Sequence, residues 1–383
     1  MRGPVDRDQA GRSCIWRGMS IPSLVRLAVT GRLASASPHP LCPCLMNRVA
    51  LLAHDQFPHF AKTAMGLLRY STFEVAAVID RAHAGKRVRE LLPDVQDAPI
   101  VASMDDAPPV DALIIGIANV GGGFAEDWRP DVRTALQRGC TVMAGLHDFL
   151  ADDEEFAALA EAHGATLHDV RKPPRGLSVS QGRARDVPAN VVLTVGTDCA
   201  VGKMTVALEL TRAAQARGER AAFIPTGQTG IMIAGWGLPI DAIVSDFVAG
   251  AVEQMVLEKG HDHDWLFVEG QGSIIHPAYS AVTCGILHGA MPDALVLCHE
   301  AGRAHSKGFE GFPLPGPSAY VDLYEGLTQP LHPARVVAGA LNTRSLDDTA
   351  DAQAAVERYG ETLGLPATDP VRFGPDAILD ALL

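Results

Sequence analysis

The chain has 383 residues, 47% of them hydrophobic and 20% charged. That suits two or three packed domains of roughly 150 residues each and is too apolar for a disordered chain. The formal charge is 32 − 45 = −13 and only 5% of residues are aromatic, which argues against nucleic-acid binding through an overall field or through stacking platforms.

Residues 1–45 are rich in Arg, Ser and Pro. The segment IPSLVRLAVTGRL could form the basic amphipathic helix of a targeting peptide. The favoured reading is a disordered extension, with the functional chain starting at Met46. Short apolar runs then alternate with helical patterns. RVALLAH (48–54), EVAAVID (74–80), PIVAS (99–103), DALIIGIAN (111–119) and TVMAGL (141–146) read as strands. HFAKTAMGLLRY (59–70), PDVRTALQRG and DDEEFAALAEAHG read as helices between or after them. Such alternation predicts a parallel sheet covered on both faces, so 46–170 is expected to be a Rossmann-like domain. Residues 171–188 carry Pro, Gly, Ser and Arg without apolar periodicity and mark a linker.

A second α/β alternation fills 189–383. NVVLTV, ERAAFIPT, DWLFVEG, DALVLCHE and RVVAGALNT are its strands. GKMTVALELTRAAQARG (202–218), DAIVSDFVAGAVEQMVLEKG (241–260) and DTADAQAAVERYGETLG (348–364) are its helices. The fold class is therefore α/β, with two doubly wound parallel-sheet domains, the second P-loop-like. Seven cysteines, Cys14, Cys42, Cys44, Cys140, Cys199, Cys284 and Cys298, read as reduced thiols of a cytoplasmic protein. Cys42-Pro-Cys44 has no second pair to complete a metal site, and no metal is expected. No apolar run approaches the roughly 18 residues of a membrane span, so no membrane partner is expected.

The strongest chemical signal is VVLTVGTDCAVGKMTVALEL. Gly196, Thr197, Asp198, Cys199, Ala200, Val201, Gly202, Lys203, Met204 and Thr205 form a glycine-bounded loop between a buried strand and a helix. Backbone N–H groups and the helix N-terminus favour an anion there, and Lys203 adds a point charge for a phosphate. The loop has one residue more than G-x-x-x-x-G-K-[ST], and Met204 stands where a magnesium-binding hydroxyl is usual. A thioether does not suit a hard cation, so phosphate binding is expected and metal-dependent hydrolysis is in question. Cys199 in this loop is expected to have a lowered pKa.

WLFVEGQGS delivers Glu269 to a strand's carboxyl end, where ligands sit in such sheets. Glu269 is the first candidate for a general base, followed by His276 and Asp198. Backbone N–H groups of Gly270–Gly272 are candidate oxyanion donors. In PTGQTG (225–230), Thr226 and Gln228 are expected to contact substrate from a flexible loop. Ser273 and Tyr279 are further candidates. In LCHEAGRAH, Arg303 is expected to clamp a substrate carboxylate, and His299 is either a ligand contact or a satisfied structural histidine. Asn342 ends the strand RVVAGALN, where its amide could read a base edge. The glycine run at Gly121, Gly122 and Gly123 is a weak second ligand loop.

GTDCAVGK, VEGQGS and GALN resemble motifs of dethiobiotin synthetase over roughly 190–345, though that enzyme lacks the first domain and has a hydroxyl at the Met204 position. The two-domain plan, with GTDCAVGKMT, PTGQTGIMIAGWG and VEGQGSIIHPAYS, is much more similar, over about 46–380, to a family long catalogued as a domain of unknown function and now assigned as D-glutamate N-acetyltransferases. This resemblance implies acetyl-CoA as donor and D-glutamate as the small-molecule substrate, in D-amino-acid catabolism. Two alternatives stay open: an ATP- and Mg²⁺-dependent ligase or kinase, and a non-catalytic nucleotide sensor. A homo-oligomer is expected.

Overall fold

The computed structural model describes residues 46–117 and 122–383. The expected extension at 1–45 and Gly121 of the glycine run lie outside the described residues.

The first sheet comprises β1 (Arg48–Leu52), β2 (Glu74–Ile79), β3 (Ile100–Val101), β4 (Ala112–Ile115), β5 (Thr141–Ala144) and β6 (Thr166–Asp169), with α1 (Lys62–Tyr70), α2 (Arg129–Gln137) and α3 (Glu154–His163) between them. Its order is β3-β2-β1-β4-β5-β6, parallel throughout. Val49–Leu52 and Ala112–Ile115 are fully buried, as continuous apolar strands between two helical layers must be. Local signals set the ends of α3. The Asp153 side chain accepts from the Phe156 amide, and Gly164 leaves in the left-handed conformation at φ 65°.

The second sheet follows. Its strands are β7 (Asn190–Gly196), β8 (Ala221–Ile224), β9 (Trp265–Val268), β10 (Ala294–Glu300), β13 (Arg335–Asn342) and β14 (Ala367–Thr368), ordered β14-β13-β10-β7-β9-β8 and again parallel. Between β10 and β13 an antiparallel hairpin intervenes, β11 (His305–Ser306) and β12 (Phe309–Pro313). The helices are α4 (Lys203–Ala216), α5 (Gln228–Ala234), α6 (Val248–Gly260), α7 (Ser280–Ala290), α8 (Pro317–Thr328), α9 (Thr349–Leu363) and α10 (Asp376–Leu382). The expected elements are present, with trimmed ends. The helix read over 241–260 begins only at Val248, after two short 3₁₀ turns. β6, the hairpin, β14, α7, α8 and α10 carried no separate sequence prediction.

One expectation is corrected. PTGQTG is not a flexible loop: Gln228 and Thr229 open α5. This helix belongs by sequence to the second sheet, yet Ile231 and Met232 are buried in the hydrophobic core of the first. Its partner is α1. Thr63 Oγ1 and Thr229 Oγ1 hydrogen-bond at 2.9 Å, both buried. Gly66 lets the helices close, since an added Cβ would stand 2.7 Å from Thr229 Cγ2 and 3.6 Å from Met204 Cε. Tyr70 extends the seam, donating to Glu209 at 2.7 Å while Arg212 donates to its carbonyl. The residues read as a linker are also held. The Gln181 and Arg183 amides donate to the buried carboxylate of Glu253 on α6. Among the described residues no helix is long and apolar enough to cross a membrane.

Gly66→Val should therefore act on the seam between the sheets. We expect a loss of about 1–3 kcal/mol, the usual cost of forcing extra volume into a packed contact, read as a lowered thermal midpoint. An unchanged midpoint would show that α1 and α5 are not locked together.

Candidate active site

The loop between β7 and α4 turns on two residues with positive φ, Ala200 at 56° and Gly202 at 109°. Only glycine adopts the second without strain. The missing Cβ of Gly196 matters for a different reason: it would stand 3.0 Å from Lys203 Nζ. The ammonium thus lies along its own loop and donates to the Asp198 carbonyl at 2.8 Å. Lys203 is 6% exposed, and burial pushes its pKa down. A buried ammonium held against backbone at a helix N-terminus suits a phosphate.

Met204 shows why no hydroxyl follows that lysine. Its side chain is 7% exposed and belongs to an apolar cluster that includes Tyr70 from α1. Asn342, at the end of β13, sits beside the loop, with Nδ2 3.9 Å from where a Gly202 Cβ would be. Thr197 is buried, and its hydroxyl bonds His299 Nδ1 at 2.7 Å. His299 also stacks on Tyr359, so the structural reading of that histidine holds.

Asp198 is fully buried. Its Oδ2 accepts from Arg303 Nη1 at 2.8 Å and from the Lys307 amide at 2.9 Å. The β11–β12 hairpin is thereby tied to the phosphate loop. Arg303 also donates to Glu300, which Arg344 holds at 3.0 Å from the other side. This corrects the expected carboxylate clamp, because the fork of Arg303 is already shared between two carboxylates of the chain. Ser273 is likewise structural: it is buried and donates to the Thr197 carbonyl at 3.0 Å.

His276 is 1% exposed, with Nε2 3.7 Å from Asp198 Oδ1. Neither atom has a hydrogen-bond partner among the described residues. The Ala278 amide donates to Nδ1 at 3.1 Å. A neutral ring that accepts at Nδ1 carries its proton at Nε2. Burial lowers the His276 pKa, with Asp198 opposing, so the neutral form is favoured. His276 is therefore arranged as a donor and not as the expected base. The same bond decides a metal question. Asp198, Cys199 and His276 offer ligand atoms within 4.8 Å of one another, but a metal needs the Nε2 lone pair, where this tautomer has its proton. The trio does not fit a metal.

Cys199 is also corrected. Burial raises its pKa; Lys203, Lys62 and Lys307 oppose that without overturning it. A thiol of this kind is a poor nucleophile.

Glu269 stands just past the end of β9, 5% exposed. Its Oε2 accepts from the amides of Thr226 (3.0 Å) and Gly227 (3.2 Å), and the Thr226 hydroxyl donates to its carbonyl at 2.8 Å. Thr226 thus holds Glu269. Gly230 permits the approach, since its Cβ would come 2.5 Å from Oε2. Burial raises the Glu269 pKa to about 7, against the Lys62 ammonium and the two amides. Gln228 faces away: its side chain fills the space where a Gly145 Cβ would be, at the end of β5. The expected oxyanion donor at Gly270 is spent, as its amide bonds Thr194 Oγ1 at 3.1 Å. Tyr279, 45% exposed, lies against His276 with ring centroids 4.8 Å apart and planes tilted by 31°.

The phosphate loop, Glu269 and the first residues of α1 thus share one region, at the carboxyl ends of the strands. Lys62 was not foreseen. It lies in the first domain, and no local pattern links it to residues 130 or more positions away.

Comparison with known proteins agrees with this architecture. Residues 81–173 match a family described as a domain of unknown function, DUF1611_N, Rossmann-like domain. Residues 178–379 match its companion, DUF1611_C, P-loop domain. A crystal structure of a DUF1611 family protein from Anabaena variabilis is 43% identical, with a TM-score of 0.84, covering 88% of this chain and 99% of that one. Two proteins named D-glutamate N-acetyltransferase are similar over 70% of this chain and 80% of their own length. The one from Tritonibacter scottomollicae is 41% identical and the one from a Pseudoalteromonas species 36%. The chain belongs to this two-domain family, the D-glutamate N-acetyltransferases.

Proposed function

We propose that this chain transfers an acetyl group from acetyl-CoA to the amine of D-glutamate. The observation that carries the reading is Glu269, a buried carboxylate with a pKa raised to about 7, beside a phosphate-type loop. An amino-acid amine is an ammonium at neutral pH and must lose a proton before it can attack. A carboxylate poised near the working pH is suited to take it. The donor supplies a thioester carbonyl; the N–C bond forms as the C–S bond breaks, and free thiol leaves. The 3′-phosphorylated ADP of the donor is an anion that Gly196, Gly202 and Lys203 are built to hold, with Asn342 beside them. Hydrolysis of a nucleotide is not needed. That agrees with Met204, whose position is given to packing between domains. The handedness of the acceptor is taken from the named relatives.

Protein mixed with acetyl-CoA and D-glutamate should release free thiol only when both are present; absence of release with any amino acid would overturn the reading. Lys203→Ala should raise KM for acetyl-CoA about tenfold or more, equivalent to about 1.4 kcal/mol, with little change in the fold. Undiminished donor affinity would remove the phosphate role. Glu269→Gln should lower kcat about 10²- to 10⁴-fold at unchanged donor affinity. In the parent enzyme kcat should rise with pH through about 7, as Glu269 loses its proton.

The same group has a stability signature. Its folded pKa, about 7, lies above the ordinary 4.5. The stabilisation from holding that proton is complete below pH 4.5 and is lost as pH rises through 7. At about 1.36 kcal/mol per unit this is about 3 kcal/mol. Glu269→Gln should therefore gain stability relative to the parent at pH 8 but not at pH 4.5. Parallel pH profiles of the two proteins in chemical denaturation would refute the burial argument.

A further inference from the structure

The acceptor in the proposed reaction has two carboxylates, and Arg303, the expected partner for one, is already occupied. The inference here rests on that proposed reaction and identifies a different cation. Lys62 opens α1 in the first domain and its side chain is exposed. Among the described residues its ammonium has no hydrogen bond or ion pair, while its backbone amide donates to the Phe60 carbonyl at 3.0 Å. The next residue, Thr63, is anchored to Thr229 by the buried 2.9 Å hydrogen bond. Gly230 follows Thr229, and Glu269 Oε2 packs 2.5 Å from the place of its Cβ. Two short contacts therefore fix the start of α1 against the element that holds the candidate base.

The electrostatics agree. Of the charges acting on Glu269, Lys62 is the largest, and Asp241 opposes it. Lys62 and Lys307 both act on Cys199 in the phosphate loop, and Lys62 acts on Glu269 as well. In a chain of net charge −13, an unpaired ammonium beside a buried carboxylic acid is suited to an anionic group of the substrate.

We propose that Lys62 is an acceptor-binding residue: its ammonium pairs with a carboxylate of the dicarboxylic amino acid and holds the amine toward Glu269. The first domain then supplies part of the acceptor site, and the docking of α1 on α5 is what places it.

The test is steady-state kinetics of the full chain carrying Lys62→Met or Lys62→Arg, with acetyl-CoA and D-glutamate varied separately. Lys62→Met should raise KM for D-glutamate about tenfold or more and leave KM for acetyl-CoA within about twofold of the parent value. The acidic limb of its pH profile should move to higher pH, because Glu269 loses the cation that favours its ionised form. Lys62→Arg should recover most of the affinity. Lys62 is exposed, so both variants should melt with the parent. An active parent with an unchanged D-glutamate KM in Lys62→Met overturns the assignment alone. So does a rise in KM for acetyl-CoA instead, which would give the cation to the donor. A parent inactive on D-glutamate overturns the acetyl-transfer reading and this assignment together.

Discussion

The carboxyl group of Glu269 is removed from water, and most of what surrounds it serves to keep it so. Burial alone would make the charged form very costly. Two amides from the end of β8 and one ammonium from α1 return part of that cost. The outcome is an acid that titrates near neutrality, neither a surface carboxylate that is always ionised nor a core acid that never is. The balance depends on distance, so the elements that supply those groups must be rigid. Glycines at Gly227 and Gly230 admit the carboxylate, and Thr226 grips both its side chain and its backbone.

That requirement explains the junction between the sheets. α5 starts at the strand end that caps Glu269 and then buries Ile231 and Met232 in the core of the other domain. One short helix therefore belongs to the candidate site at its start and to the neighbouring core along its length. Met204 is part of the same junction. Its thioether fills space beside Gly66 that a threonine would leave partly empty. On the proposed reading, in which phosphates are gripped and not cleaved, packing can take precedence over a metal-binding hydroxyl at that position.

A second tier of contacts keeps the phosphate loop in place. Asp198 ties the loop to the β11–β12 hairpin through Arg303 and the Lys307 amide. Ser273 and Tyr324 tie its backbone to the segments behind it, each donating to a loop carbonyl. Buried polar side chains of this kind are costly unless paired, and these contacts pair Asp198 Oδ2 but leave Oδ1 without a partner among the described residues. Several residues that look catalytic by type are consumed in this way. Residue type alone cannot separate a group that meets substrate from one that fastens a loop.

The amino-acid sequence by itself determined the α/β class, the order of the main strands and the phosphate loop, because these rest on local periodicity and on glycines at fixed spacing. It also determined that Glu269 would sit at a strand's carboxyl end, since the apolar run stops there. It did not determine which polar groups are free. Arg303, Cys199 and His276 each carried a plausible chemical role, and each was reassigned by a hydrogen-bond partner or by burial. The placement of Lys62 beside Glu269 was decided only by the tertiary structure. Those two residues are joined by helix-to-helix packing across two domains, a contact that leaves no periodic trace in either segment.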